Sequence, residues 1–351
     1  MNKTKMAILT LCALSAFSLA GCGGKTTADN LIPDEKPYRW ANVPAPQAQP
    51  DDGVVIDGNF DDAIWQNITW LDAVDTPDAG KSSNIKVGTA ITEKGLYLAF
   101  DVEESGSNIW VNPERASYCN SCIELYMDAA DAEAMTKKTI EFDLMADGTY
   151  SLRSRVGSNS DWKSARYKNG ESPVTACATK GGSVNERTCY GYSYEVFMPK
   201  AYLEYLGYEF STDMEFALNP VHIVSLDYNS TDYSIARLYS QWIGKYADGY
   251  NWGIPKTWLA FGKDGLVGYK INISQTGESS LGMVNGLGGT NVVNKGHTGK
   301  LEVICLNGGK LKILTVDGKN VTDKVAWQGD YGTFDLGKPT ADVNVSVAFG
   351  K

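Results

Sequence analysis

Two kinds of side chain in this chain could do chemistry: carboxylates set into strand-like runs, and cysteines at close spacing. Hydrolysis of a glycosidic bond needs two carboxylates held ~5–10 Å apart across a cleft, and Glu124 with Asp143 or Glu195 are the pairs the sequence offers. Only two histidines, His222 and His297, are present, and neither sits in a recognisable setting for a serine or cysteine triad. Met127, Met145, Met198 and His222 are of the types that ligate haem b, but no placed pair and no CxxCH are found. Asp57, Asp61 and Asp62 could lend oxygens to a structural calcium, although their spacing is not that of an EF-hand loop.

The cysteines are read through the address of the chain. Lys3 and Lys5 precede an apolar run from Met6 to Phe17, followed by Leu19-Ala20-Gly21-Cys22. That is a secretory signal, too short for an ordinary membrane span. Its end resembles the lipobox of bacterial lipoproteins, which implies removal of residues 1–21, diacylation of Cys22 and a lipid bilayer as partner in the cell envelope. With Lys3 and Lys5 gone, the formal charge moves from −10 to −12. So acidic a chain repels nucleic acid and anionic headgroups, leaving the lipid as the tether.

Of the seven cysteines, Cys12 leaves with the signal and Cys22 is the lipidation site. Export permits disulfides. Cys177 and Cys189 flank a Gly181-Gly182 turn and are expected to bridge it, and Cys119-Asn120-Ser121-Cys122 is expected to close a local loop rather than bind zinc. Cys305, inside a strand pattern, reads as a buried free thiol.

These residues must be positioned by strands. Residues 22–51 are small, polar and proline-bearing, and read as a flexible spacer. From 52 to 264, runs such as Lys86–Ile91, Gly95–Val102, Ile123–Asp128, Ile140–Leu144 and Tyr192–Met198 alternate apolar and polar residues. That is the pattern of antiparallel sheets with one face on a core. A short helix is expected after Pro199. Residues 265–351 carry a second set of strands joined by glycine turns, a small all-β module whose plain role is structural. The fold class is all-β: an antiparallel β-sandwich followed by that module.

The run Val55 to Trp65, of the form VIDG-x-x-D-x-x-W, resembles the start of family 9 carbohydrate-binding modules. Further matches follow in order: VKVGTAITEKGLYLAFDV, IELYMDA against the family's VEIFID, IEFDLMADGTY, YSYEVFMPKAYL, and a closing segment from Trp252 to Gly262. The resemblance spans Val54 to Lys263. It implies a jelly-roll sandwich that binds a polysaccharide or oligosaccharide without catalysis, beside partner glycoside hydrolases. In such sites aromatic rings stack on sugar faces and polar groups bond the hydroxyls.

Carried over by position, the resemblance implies Tyr118, six residues before Glu124, and Trp252 as the stacking pair, with Trp110 in reserve. Glu124 is implied as the hydroxyl acceptor, with Asn251 beside Trp252. Asp143 stands where relatives have an arginine, and Arg153 and Arg155 come later at a different spacing. Trp65, Trp70 and Tyr97 are assigned to packing, and Glu195 to a structural position. A structural or assembly lipoprotein without sugar binding, and a haem b electron-transfer domain on a related sandwich, are the alternative readings.

Overall fold

The computed structural model describes residues 31–32, 49–74, 83–104, 109–155, 162–164, 166–167, 172–225, 228, 237–241, 255, 258–285 and 292–351. The signal sequence, Cys22 and most of the spacer lie outside them. Among the described residues no helix is long and apolar enough to cross a membrane.

The strands of the first unit are, in chain order, β1 (Leu71–Val74), β2 (Ser83–Thr92), β3 (Gly95–Glu104), β4 (Cys122–Ala129), β5 (Ile140–Met145), β6 (Tyr150–Ser154) and β7 (Lys163–Ser164). They continue with β8 (Val174–Lys180), β9 (Gly191–Pro199), β10 (Phe216–Ser225), β11 (Arg237–Gln241), β12 (Leu259–Gly262) and β13 (Gly265–Leu266). One sheet has the order β8-β9-β3-β2-β1. The other runs β13-β12-β10-β4-β5-β6-β7, with β11 also on β10. Every pairing in the two sheets is antiparallel. Val87, Leu98, Phe100, Tyr192 and Tyr194 of the first sheet meet Leu125, Phe142, Leu152, Phe216 and Phe261 of the second in one core. This is the expected sandwich. Its second sheet reaches Leu266, two residues past the expected boundary.

The opening run Val55 to Trp65 is fastened by a single carboxylate. Glu195 Oε2 accepts the backbone N–H groups of Asp57 at 2.9 Å and Gly58 at 2.8 Å, and Oε1 accepts the Trp65 indole N–H at 2.6 Å. Gly58 has φ +90°, and a Cβ there would stand 2.6 Å from the Ala178 backbone nitrogen. Only glycine lets the turn lie this close to β8. Trp65 is then buried among Val54, Ile56, Tyr97 and Phe197, with Trp70 packed against the group. Tyr97 stacks on Phe197 with centroids 4.6 Å apart. The helix expected after Pro199 spans Lys200–Tyr205.

His222 is fully buried, with Nε2 3.1 Å from Glu104 Oε1. Met127, Met145 and Met198 are fully buried in the close-packed core.

The cysteine pairings expected from spacing are not made. Among the described residues, no disulfide joins any of Cys119, Cys122, Cys177, Cys189 and Cys305. In the β8–β9 hairpin Cys177 pairs with Tyr194, and the ladder ends at Lys180 opposite Gly191, so Cys189 lies beyond it in the loop. Cys177 Sγ turns to the Ala146 carbonyl, 3.3 Å away, and Cys189 Sγ to that of Gly191, at 3.6 Å. Cys119 sits in a 3₁₀ turn while Cys122 opens β4 with its thiol on the Ser117 carbonyl. Burial pushes the Cys177 thiol well above its ordinary pKa. Cys305 is half-buried at the end of its strand.

The second unit comprises β14 (Gly268–Gly277), β15 (Gly282–Val284), β16 (Val292–Asn294), β17 (Gly299–Cys305), β18 (Lys310–Val316), β19 (Lys319–Asn320), β20 (Ala326–Gln328), β21 (Tyr331–Gly337) and β22 (Val343–Gly350). They form sheets β16-β14-β22-β18-β19 and β15-β17-β21-β20 around a separate core that includes Leu301, Val303, Leu314 and Val347. β14 and β22 pair in parallel, closing the module by its two ends. Asn294 ties it to the sandwich, accepting the Ala260 N–H at 3.1 Å and donating to the Trp258 carbonyl at 2.5 Å.

Replacing Glu195 with alanine strands three buried or part-buried N–H donors. Unpaired donors cost ~1–3 kcal/mol each, so Glu195→Ala should destabilise the chain by about 3 kcal/mol or more in urea unfolding. A wild-type midpoint would show that the opening run is held by packing alone. Thiol counting by alkylation of the unfolded, unreduced chain should find all five of these cysteines free; a deficit of two would mark a disulfide.

Candidate functional site

The site follows from alternation along three neighbouring strands. Ile123, Leu125 and Met127 of β4, Ile140, Phe142 and Leu144 of β5, and Tyr150 and Leu152 of β6 enter the sandwich core. Side chains alternate between faces, so Glu124 and Tyr126, Glu141 and Asp143, and Ser151 and Arg153 share the opposite face. The register then sets the neighbours. Glu124 lies across from Asp143, Tyr126 from Glu141, Glu141 from Arg153 and Asp143 from Ser151. One ligand-type oxygen from each of Glu124, Glu141 and Asp143 lies within 4.8 Å of the others.

Arg153 Nη2 donates to Glu141 Oε1 and stands 3.9 Å from Asp143 Oδ2. The Ser117 hydroxyl donates to the same Asp143 Oδ2. Asp143 is wholly buried, Glu141 nearly so, and Glu124 half-buried at the open side. Desolvation pushes the Glu141 carboxyl well above its ordinary range, with the Asp143 charge adding to it and Arg153 opposing. Desolvation also raises Asp143, against Arg153 and the Ser117 bond. Burial works against the Arg153 charge, yet Glu141 and Asp143 hold its pKa above the usual value. Burial, then Glu124, raises the Tyr126 phenol.

The segment 109–121 rims this face. Trp110 and Ser121 bond reciprocally, Ser121 N–H to the Trp110 carbonyl at 2.8 Å and Trp110 N–H to Ser121 Oγ at 3.2 Å. The 3₁₀ turn Ser117–Cys119 at its end places half-buried Tyr118 next to Ser117, the donor to Asp143. Trp110 instead leans on Tyr228, centroids 6.0 Å apart, and Asn112 Nδ2 donates to the Tyr228 carbonyl at 2.9 Å. Beyond Tyr126 the face carries a small apolar cluster with Ala217 and fully buried Trp258, against which Trp162 packs. The Arg155 guanidinium lies 5.7 Å from the Trp162 ring centre.

Of the residues singled out from sequence, Glu124 and Asp143 lie opposite each other on paired strands, whereas Tyr118, next to Ser117 in the chain, packs against the sandwich core. Trp110 is on the rim, turned to Tyr228. Asn251 and Trp252 lie outside the described residues. Glu141 and Tyr126 join the group although the sequence did not select them, and Arg153, noted in the sequence as a later arginine that could stand in for the one missing at Asp143, reaches it. The i, i+2 spacing of Glu124 with Tyr126, and of Glu141 with Asp143, is the signal that could have placed each pair on one face. Arg153 is contributed by a further strand, so its distance along the chain carries no information.

Glu195 is on the other sheet with both oxygens engaged, so Glu124 and Glu195 do not flank a common cleft. Asp57 Oδ1 accepts the Asn59 N–H and Asp62 Oδ2 the Val55 N–H. Two open clefts lie elsewhere: about 410 Å³ beside Asp52, Ile64 and Lys94, and about 480 Å³ beside Asp323, Trp327 and Asp330.

No protein-family model matches the chain, and no curated protein matches it. Among solved structures, it is similar to a family 9 carbohydrate-binding module from Caldicellulosiruptor kristjanssonii in complex with cellotriose. That match has 12% identity and a TM-score of 0.39, covering 60% of this chain and 89% of the other. A family 9 module from the same organism in complex with glucose gives 14% identity and a TM-score of 0.39 over 60% and 91%. A protein from Bacteroides uniformis described as carbohydrate-binding gives 11% and 0.34 over 50% and 75%. These likenesses are distant, and the site rests on its own geometry.

Arg153 is the cation in contact with the carboxylate group. Removing one partner of a buried ion pair typically costs ~3–5 kcal/mol. Arg153→Met should therefore lower unfolding stability by about 3 kcal/mol, and adding Glu141→Gln should recover part of that loss in a double-mutant cycle. Additive losses would mean that the two side chains act independently.

Proposed function

We propose that the chain binds glycan without cleaving it, as a lipid-anchored lipoprotein of the bacterial cell envelope. Its parts are a signal (1–21), a lipidated Cys22 and spacer (22–51), a glycan-binding sandwich (52–264) and a small β module (265–351). The observation that carries the reading is the outer face of β4 to β6. There a half-exposed carboxylate, two buried ones and a guanidinium converge beneath a turn bearing Tyr118.

Sugar hydroxyls both donate and accept. Glu124 supplies acceptors, Arg153 supplies donors in a planar fork, buried Asp143 lies behind them, and Tyr118 with Trp252 is the stacking pair of this reading. Trp110, on the rim, and Asn251, beside Trp252 in the chain, are the further residues of this reading. The geometry argues against hydrolysis by Glu124 with Asp143. Their oxygens lie within 4.8 Å, too close for the water of an inverting pair at ~6.5–9.5 Å, and a retaining pair at ~5–5.5 Å would need both carboxylates open to the sugar. Asp143 is also sealed under Ser117. Glycoside hydrolases are the expected partners, and capture of glycan for them is the expected service. The signal ending in Leu-Ala-Gly-Cys supports the anchor.

Affinity electrophoresis in gels containing cellulose derivatives, xylan or mannan should retard the wild type. Glu124→Ala and Trp252→Ala should each weaken retardation at least tenfold. Retardation unchanged in both would remove this face as the binding surface, and no retardation on any polysaccharide would favour a structural lipoprotein. Cys22→Ala should abolish metabolic labelling with palmitate; labelling that persists would refute the anchor.

A further inference from the structure

Of the tryptophans among the described residues, Trp327 alone is exposed; Trp65 and Trp258 are buried, and Trp70, Trp110 and Trp162 half-buried. It sits on β20, the edge strand of the sheet β15-β17-β21-β20, and is 43% exposed. Register places it opposite Gly332 of β21. A Cβ at Gly332 would stand 2.9 Å from two carbons of the indole and 2.5 Å from Val325 Cγ1. The missing side chain is the room in which the ring rests against β21. Packing thus fixes part of the indole, and the rest lines the open cleft of about 480 Å³, a volume within the ~300–1,000 Å³ of small-molecule sites.

The polar rim of this cleft is held by backbone bonds. Asp330 lies in the two-residue loop between β20 and β21, where Gly329, with φ +64°, suits the first central position of a type II′ turn. The Asp330 carbonyl accepts the Cys305 N–H at 2.8 Å. Asp323 lies in the 3₁₀ turn Thr322–Lys324, and Thr322 Oγ pins that turn by accepting the Leu314 N–H at 2.8 Å and donating to Asn320 Oδ1 at 2.7 Å. Lys310 opens β18 on the same cleft. Asp323, Asp330 and Lys310 are all exposed, so their backbones are fixed while their heads stay in water.

We propose that this cleft of the C-terminal module is a second glycan site, for a neutral oligosaccharide. It stands on the module's own geometry and not on the face of β4 to β6. A pyranose presents C–H groups on its ring face, which the open part of the Trp327 indole receives by stacking. Its hydroxyls donate to the Asp323 and Asp330 carboxylates and accept from the Lys310 ammonium. Two carboxylates against one ammonium, on a chain of net charge −10, work against uronates and other anionic sugars. Lys310 works against cations in the same place, which leaves neutral sugars as the class that uses ring, acceptors and donor together.

The full chain carrying Glu124→Ala and Trp252→Ala, with the sandwich face disabled, is run in affinity gels containing hydroxyethylcellulose, xylan or glucomannan, and in alginate as an anionic control. Residual retardation is expected on at least one neutral polymer and not on alginate. Adding Trp327→Ala should lower it at least tenfold, whereas Trp327→Phe, which keeps a ring, should lose less than threefold. Adding Asp323→Ala with Asp330→Ala should lower it at least fivefold, and these exposed rim positions decide alone if Trp327→Ala alters the circular dichroism. Three outcomes overturn the proposal: no residual retardation on any neutral polymer; residual retardation untouched by Trp327→Ala and by the aspartate pair; or stronger retardation on alginate. Single variants of the otherwise wild-type chain separate the two sites. Loss with Trp327→Ala but not with Glu124→Ala or Trp252→Ala removes only the sandwich face, and the converse removes only the cleft.

Discussion

Antiparallel register across β4, β5 and β6 is the constraint on which the rest depends. Once Ile123, Leu125 and Met127 must face Phe142, Leu144 and Leu152 in a dry core, the intervening side chains have no choice of side. A slip of one residue would turn the whole apolar set outward, so the core enforces the register and the register assembles the polar group. Glu124 and Asp143 are neighbours because their flanking residues are apolar. No attraction between them is required, and their charges oppose it.

The carboxylates of the sandwich show how differently one functional group can be used. Glu195 is a fastener, spending both oxygens on the turn that opens the domain and on the Trp65 indole. Asp128 fastens the 130–139 segment to its strand through four bonds. Each removes orphan donors from a buried place, the usual condition for burying a charge. Asp143 and Glu141 do not fit that pattern. They are as deeply placed, but share one guanidinium and lie beside a third carboxylate. Glu124, half-buried, stands at the open side of the same group, while Tyr118 packs against the sandwich core.

The C-terminal module has its own core and closes through a parallel pairing of β14 with β22. At its junction with the sandwich Asn294 bonds both the amide of Ala260 and the carbonyl of Trp258, and Val292 packs against the sandwich core. Trp258 immediately precedes β12 and packs on Tyr126, ring centroids 6.0 Å apart. The module is thus attached to the same strand that backs the polar face.

Local patterning alone determined much of this protein. Period-2 alternation gave the strands around Glu124, Phe142, Tyr194, Leu301 and Val345. Glycine at 58 marked a turn that no larger residue could occupy, and proline at 199 marked the start of a helix. Each is a short-range property, fixed by backbone sterics or by which face must leave water. Tertiary structure decided the rest, because pairing partners are distant in the chain. The Cys177 and Cys189 pairing failed because the hairpin ladder stops at Gly191, a register that loop composition does not encode. Arg153 joined Glu141 through a third strand, Glu195 went to the opposite sheet from Glu124, and Asp143 was left with an unsatisfied oxygen. Sequence lists which groups are available; only the packing of one sheet against the other decides which of them meet.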